Sequence, residues 1–344
     1  MPLKPPIPPM EATSVDAVPV GPEWQYEPKW DGFRCLVFRR GAKVELQSKA
    51  GKSLTRYFPD AVEGAKALAA KQFVLDAEIV VPRGRAFSFD DLLQRIHPAA
   101  SRIAKLAQET PALLIVFDLL EDERGNALLD MPLAERRPKL EAFAKANFRG
   151  DGVRLSPATI KLSEAKGWLR KVGATLDGII AKQRDAPYAA GTRDAMVKVK
   201  NYRSADCVVG GFRYGTNSEL VGSLLLGLYD DDGLLHHVGF TSSIARAEKA
   251  ALTAKLEKLK GGPGFTGNAP GGPSRWATER SAEWVPLKRK LVVEICYDHF
   301  SGERFRHGTR LMRWRPDKAP EQCTMDQVKQ KTADLMKLLL KASS

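Results

Sequence analysis

The stretch Tyr26-Glu27-Pro28-Lys29-Trp30-Asp31-Gly32-Phe33-Arg34 sets a lysine at the end of a short extended run, just before an acid and a glycine. A lysine held beside a tight turn can offer its amine as a nucleophile, provided burial or nearby cations favour the neutral form. Other segments carry partners for such chemistry. Asp76 and Glu78 alternate within the apolar run Phe73–Val81, so they share one strand face and could hold a divalent ion or a ribose hydroxyl. Phe117 ends the apolar strand Ala112–Leu120, where its ring could stack on a base. Asp177 opens Asp177-Gly178-Ile179-Ile180-Ala181-Lys182, and Lys198 and Lys200 share a strand face in Met196–Lys200. Two lysines so placed could bind a phosphate and supply the cations that the amine needs.

Each residue also has an ordinary reading. Lys29 could be a hairpin-turn lysine, Asp76 a turn cap, Phe117 a core ring, and Lys198 with Lys200 a solvated face. Their order along one chain weighs against reading them singly.

The elements that must position these residues follow from periodicity. Residues 1–22 are proline-rich and are expected to run extended over the surface. Strands are expected over Tyr26–Lys29, Arg34–Arg39, Lys43–Ser48, Phe73–Val81 and Ala112–Leu120, and helices over Pro59–Lys71, Phe89–His97, Pro132–Ala146 and Glu164–Val172. Past Tyr202 the character changes to short strands (Ala205–Phe212, Gly222–Tyr229, Gly233–Thr241, Val285–Tyr297, Glu303–Trp314). With them come one helix, Ala245–Lys260, a Gly/Pro loop at Gly261–Pro273, and an amphipathic helix over Met325–Lys341. Short strands with one helix suit a small closed barrel of the oligonucleotide-binding kind. The fold class is therefore α+β, with domains over 1–202 and 203–344.

Composition narrows the function. With 54 Lys and Arg against 41 Asp and Glu, the formal net charge is +13, which points to a polyanionic partner, nucleic acid before membrane. No apolar run approaches the roughly 20 residues of a bilayer span, and the N-terminus has no apolar signal core, so a cytoplasmic home is expected. Cys35, Cys207, Cys296 and Cys323 are far apart with no Cys-x-x-Cys, which disfavours zinc or a disulfide framework.

Lys-x-Asp-Gly, the strand acids, Phe-Asp, acid-Gly-Ile-Ile-x-Lys and Val-Lys-x-Lys occur here in the order found in one family. The chain resembles, over roughly residues 20–325, the nucleotidyltransferases that form lysyl-nucleotide intermediates, and most closely the ATP-dependent DNA ligases of the small bacterial ligase C type. The resemblance implies a nucleotidyltransferase (adenylation) domain joined to an OB-fold barrel. It makes Lys29 the AMP acceptor, Glu27 the reader of the adenine amino group, Glu78 the ribose acid and Phe117 the adenine-stacking ring. Arg34 and Arg56 match arginines that contact the nucleotide or the nick phosphate, and Lys198 and Lys200 the pair that binds the α-phosphate. Asp177, with Glu78, falls where the family associates acids with a metal, Mg²⁺ or Mn²⁺. Arg315-Pro316-Asp317-Lys318 looks like the family's Arg-x-Asp-Lys segment, whose Arg315, Asp317 and Lys318 would orient the pyrophosphate of ATP. Two departures stand out: Asp177 replaces the usual Glu, one methylene shorter, and Met196 stands where an aromatic is common.

The implied activity seals nicks bearing 3′-OH and 5′-phosphate ends, through a lysyl-AMP intermediate and a DNA-adenylate, in DNA repair. The implied partner is nicked double-stranded DNA, handled by a monomer associated with the nucleoid. The barrel would move between steps, because its Arg315–Lys318 segment serves only the first. Rival readings are an RNA ligase, a capping-type guanylyltransferase, or a catalytically dead nucleic-acid-binding module. Glu27 and the Arg-Pro-Asp-Lys ending favour a DNA ligase with ATP.

Overall fold

The computed structural model describes residues 2–172, 176–271, 283–329 and 334–340. It divides the chain into two units, Met1–Asn201 with Lys331–Ser344, and Tyr202–Gln330.

Two sheets carry the first unit. One runs, in order, Lys43–Ser48, Phe33–Arg40, Gln72–Val80, Leu113–Glu121 and Val153–Leu155, antiparallel except for the last pair. All nine residues of Leu113–Glu121 are buried, which fits the seven apolar residues among them. Leu114 and Val116 enter one core cluster with Leu75, Ala77 and Phe143, while Leu113 and Ile115 enter another with Tyr26, Trp30 and Ile179. The other sheet has the order Thr13–Ser14, Met196–Lys200, Gly178–Gln183, Trp24–Lys29. The strand carrying Lys29 and the strand carrying Lys198 and Lys200 thus both pair with Gly178–Gln183.

The proline-rich N-terminus departs from the expectation of a surface run. Ile7 and Met10 are buried against Leu36, Phe38 and Tyr188, and Thr13–Ser14 pairs in parallel with Met196–Lys200. The backbone of Ile7 exchanges two hydrogen bonds with the Gln47 side chain, 2.9 and 2.6 Å. Proline cannot donate to a ladder, so side-chain amides and burial fix this segment instead.

The main sheet of the second unit is ordered Leu235–Thr241, Val221–Tyr229, Arg203–Tyr214, Val292–Tyr297 and Arg310–Trp314, with Val285–Pro286 also on Arg203–Tyr214. Its outer strands approach each other through a parallel bridge between Thr241 and Thr309, and the Thr241 hydroxyl donates to the Thr309 carbonyl at 2.8 Å. The sheet therefore curls into the expected OB-type barrel around Val208, Phe212, Leu226 and Ile295.

Several elements are shorter than their periodicity suggested. The expected strand Val285–Tyr297 breaks at Lys288-Arg289-Lys290, where the Lys288 amide bonds to Leu259 instead of the sheet. The expected strand over Glu303–Trp314 is a small hairpin, Phe300–Ser301 with Arg304–Phe305, followed by Arg310–Trp314. The expected helix Ala245–Lys260 is a 3₁₀ turn leading into Lys249–Glu257.

Of the expected helix Met325–Lys341, the structure describes a 3₁₀ turn at Met325–Gln327 and a helix at Leu335–Leu340; residues 330–333 and 341–344 lie outside the described set. Sequence position assigned that last helix to the barrel. It instead buries Leu335 and Leu339 with Trp30 and Trp168 of the first unit, because two leucines four apart form one apolar face. Among the described residues no helix is long and apolar enough to cross a membrane.

Candidate active site

Lys29 ends its strand directly opposite Gly178, and Lys200 faces Gly178 from the other side. A Cβ on Gly178 would lie 2.0 Å from the Val199 carbonyl oxygen, so only glycine lets these strands close up beside Asp177. The Asp177 carboxylate accepts from the Lys29 amine. Gly32 is required for the same reason, since its Cβ would meet the Ile79 carbonyl oxygen at 2.1 Å; its amide donates to Glu78 Oε1 at 3.1 Å. The glycines of the two acid-Gly motifs are thus close-approach positions that bring Lys29, Asp177 and Glu78 together.

Glu27, Lys29, Arg34, Glu78, Phe117 and Lys198 line a single cavity, joined by Met10, Lys49, Lys182 and Met196. At its floor Glu27 and Lys182 are both buried and paired at 2.8 Å, and Gln25 Nε2 donates to Glu27 Oε1 at 2.8 Å. The Lys182 amine also lies 4.8 Å from the centre of the Phe117 ring, and the Arg34 guanidinium 4.7 Å from it. Glu27 is thereby fixed as an oriented acceptor next to an aromatic platform, which suits an amino-bearing base.

Arg34 is itself held. Asp76 takes its Nε and Nη2 at 2.5 and 2.6 Å, Tyr188 donates to Asp76 at 2.6 Å, and Arg34 Nη2 reaches the Met10 carbonyl at 3.3 Å. The strand acids thus divide their work: Asp76 orients an arginine, and Glu78 alone faces the cavity. Burial pushes the Glu78 carboxyl up to about 7 against the opposing pull of Arg34 and Lys29. Burial, with Lys29 and Lys200 nearby, also lowers the pKa of Lys198. A cluster of cations around a half-buried acid is primed for a polyanion.

Arg56 is not brought into the cavity; its Nη2 donates to the Pro98 carbonyl at 2.8 Å and its guanidinium stacks on Tyr57. Lys200 and Asp177 also lie outside the lining; Lys200 is level with Lys29 across Gly178, and Asp177 precedes that glycine. In the second unit, Arg315 pairs with Asp206 at 2.8 Å and with Asp317 at 2.8 Å, and Lys318 pairs with Asp206 at 2.7 Å.

Asp177 and Glu78 offer the oxygen donors that suit Mg²⁺ or Mn²⁺, which are commonly held by one or two carboxylates plus substrate phosphates. Among the described residues, the His/Cys/Asp/Glu cluster with metal-like spacing is Asp298, His299 and His307 in the barrel, a donor set better matched to zinc.

Residues 9–200 match the family model described as ATP dependent DNA ligase domain, and residues 217–318 match ATP dependent DNA ligase C terminal region. The chain belongs to the ATP-dependent DNA ligases. It is 44% identical over 339 residues to DNA ligase C1 of Mycolicibacterium smegmatis, covering 95% of each chain. It is 30% identical over 311 residues to the multifunctional non-homologous end joining DNA repair protein LigD of Mycobacterium tuberculosis, spanning 87% of this chain and 37% of that one. A solved Lig E DNA ligase, 15% identical, covers 89% of this chain and 98% of its own with a TM-score of 0.52, and so shares the fold.

For a ligase, the lysine of acid-Gly-Ile-Ile-x-Lys carries more than the sequence reading gave it. Lys182 had no assigned role, although alternation puts it on the same strand face as Ile180, which lines the cavity. Met10 and Glu11 were also missed. Glu11 bridges Lys49 and Arg193 at 3.0 and 2.9 Å, tying the N-terminal segment to the ligase pocket.

Proposed function

We propose that this ATP-dependent DNA ligase works through Lys29 as the AMP acceptor, in a pocket that selects adenine through Glu27 and Phe117. What supports this most is one cavity holding Lys29, Lys198, Glu27 and Phe117 together. The Lys29 amine attacks the α-phosphorus of ATP; a P–N bond forms, the P–O bond to pyrophosphate breaks, and the amine loses its proton. Lys198 and Lys200 offset the charge that develops on the α-phosphate. Arg315, Asp317 and Lys318 orient the pyrophosphate. Glu78 holds the ribose, and Arg34 contacts the nucleotide. A Mg²⁺ or Mn²⁺ ion held by Asp177 and Glu78 would further neutralise the phosphates.

AMP then moves from Lys29 to the 5′-phosphate of a nick, and the adjacent 3′-hydroxyl displaces it to form the phosphodiester. In-line transfers of this kind ask mainly for positioning and charge neutralisation, which this residue set offers. The ligase acts as a monomer on nicked duplex DNA in the cytoplasm, at the nucleoid, and serves repair, the role that the name of the LigD relative carries. Arg56, outside the cavity, contacts the nick phosphate.

The test offers ATP and GTP separately, each with nicked DNA and nicked RNA duplexes. Sealing of nicked DNA with ATP is expected. Use of GTP, or preference for the RNA duplex, would instead favour a capping-type enzyme or an RNA ligase.

A further inference from the structure

Asp206 lies in the barrel strand Arg203–Tyr214, with its side chain only 12% exposed. Its carboxylate accepts Arg315 Nη1 on both oxygens, at 2.8 and 3.1 Å, and Lys318 Nζ at 2.7 Å. The remaining face of Arg315 is taken by Asp317, with Nε at 3.0 Å and Nη2 at 2.8 Å. The backbone of Asp206 is fixed as well. Its amide donates to Gln327 Oε1 at 3.0 Å, and its carbonyl accepts from Gln327 Nε2 at 3.1 Å. A side-chain amide thus pins the residue as a neighbouring strand would, while Cys207 and Val208 beside it are fully buried.

Two cations that would repel each other in isolation therefore share one immobilised carboxylate. Neither is used up by it. An ammonium has three N–H donors and Asp206 takes one, and a guanidinium has five, of which the two acids leave some. What remains is a pair of held cations with donors to spare, an arrangement suited to a group with two adjacent phosphates.

From this geometry we infer that Asp206 is a positioning residue for the first chemical step, holding Arg315 and Lys318 side by side so that they meet pyrophosphate as one clamp. The inference rests on the reading above, in which these two cations serve the pyrophosphate of ATP. Pyrophosphate takes part only in the formation of lysyl-AMP and its reversal. Loss of Asp206 must then be felt in that step and not in the sealing of a nick that already carries AMP.

The test compares Asp206→Asn, Asp206→Glu, Arg315→Ala and Lys318→Ala in the full chain. Three rates are read: adenylation from ATP, release of ATP from the adenylated enzyme by added pyrophosphate, and closure of a pre-adenylated nick by AMP-free enzyme. Asp206→Asn is expected to slow the first two by roughly tenfold or more, the usual scale for lost positioning, and to leave the third within about twofold. Asp206→Glu should recover part of the loss. If Asp206→Asn adenylates normally, or faster, while Arg315→Ala and Lys318→Ala do not, the inference fails and the reading of the two cations stands. If Arg315→Ala and Lys318→Ala adenylate normally, that reading fails and the inference with it. An equal loss in all three rates would make Asp206 a structural residue only.

Discussion

The amine of Lys29 donates to the carboxylate of Asp177, across a strand pair in which Lys29 stands opposite Gly178. The residue that holds the proposed nucleophile and the residue that lets the strands approach are thus adjacent in sequence. Gly178→Ala would drive a Cβ into the Val199 carbonyl oxygen and part the strand of Lys29 from the strand of Lys198 and Lys200. A stability loss of about 1–3 kcal/mol is expected by urea unfolding, together with a larger loss of adenylation than of folding. Normal adenylation in a stably folded Gly178→Ala would show that strand closeness does not matter here.

The buried pair Glu27–Lys182 predicts a thermodynamic signature. Lys182→Met leaves Glu27 buried without its cation and should cost about 3–5 kcal/mol. The double variant Glu27→Gln with Lys182→Met should recover much of this, since removing both charges is far milder than removing one. Denaturant midpoints of the two single variants and the double variant close the cycle. Additive losses would mean that the pair is not coupled.

The barrel carries its own pH dependence. Burial first, and then Arg304 and Arg213, lowers His237 to about 4 from its ordinary 6.5. A histidine depressed in the folded state binds its proton more readily when unfolded. Its contribution is therefore present above pH 6.5 and is lost as pH falls from 6.5 towards 4. At about 1.4 kcal/mol per pH unit the effect is a few kcal/mol at most, and less because the ring is partly exposed. His237→Gln should flatten the stability profile between pH 6.5 and 4. An unchanged slope in that variant would assign the acid loss to other groups.

Much of the site was legible because alternation is a strict rule. Lys198 and Lys200, two apart, had to share a face, and Asp31-Gly32 read as a tight turn beside Lys29. Glu27, by contrast, was reached through the family resemblance, and the close approach of strands at Gly32 and Gly178 shows only in three dimensions. Asp76 and Glu78 also share a face, but alternation could not say that Tyr188, 112 residues on, would bind one of them to Arg34 and leave the other to the cavity. Lys182 was hidden by its type, since a lysine after Ile-Ile-Ala reads as the end of a buried run, and only the three-dimensional position of Glu27 reveals its partner. The N-terminal segment was misread from its prolines. Ile7 and Met10, three apart, fall on one side of an extended polyproline turn, and that spacing was the available signal for their burial. The last helix was assigned by sequence proximity, which carries no information about which core its leucines join.

Charge gives a further prediction. A ligase with net charge +13 that grips DNA through phosphates should lose affinity for a nicked duplex steeply as salt rises, with the logarithm of the binding constant linear in the logarithm of salt. Gel-shift or anisotropy titrations from about 50 to 200 mM salt measure the slope. A flat response would remove the basic surface as the DNA footprint.

In the proposed reaction Lys29 carries the nucleotide. Intact-protein mass spectrometry after incubation with ATP and Mg²⁺, followed by peptide mapping, measures this without any DNA. One AMP adduct is expected, located on the peptide that contains Lys29 and absent from Lys29→Arg. An adduct of the same mass on Lys29→Arg would contradict it.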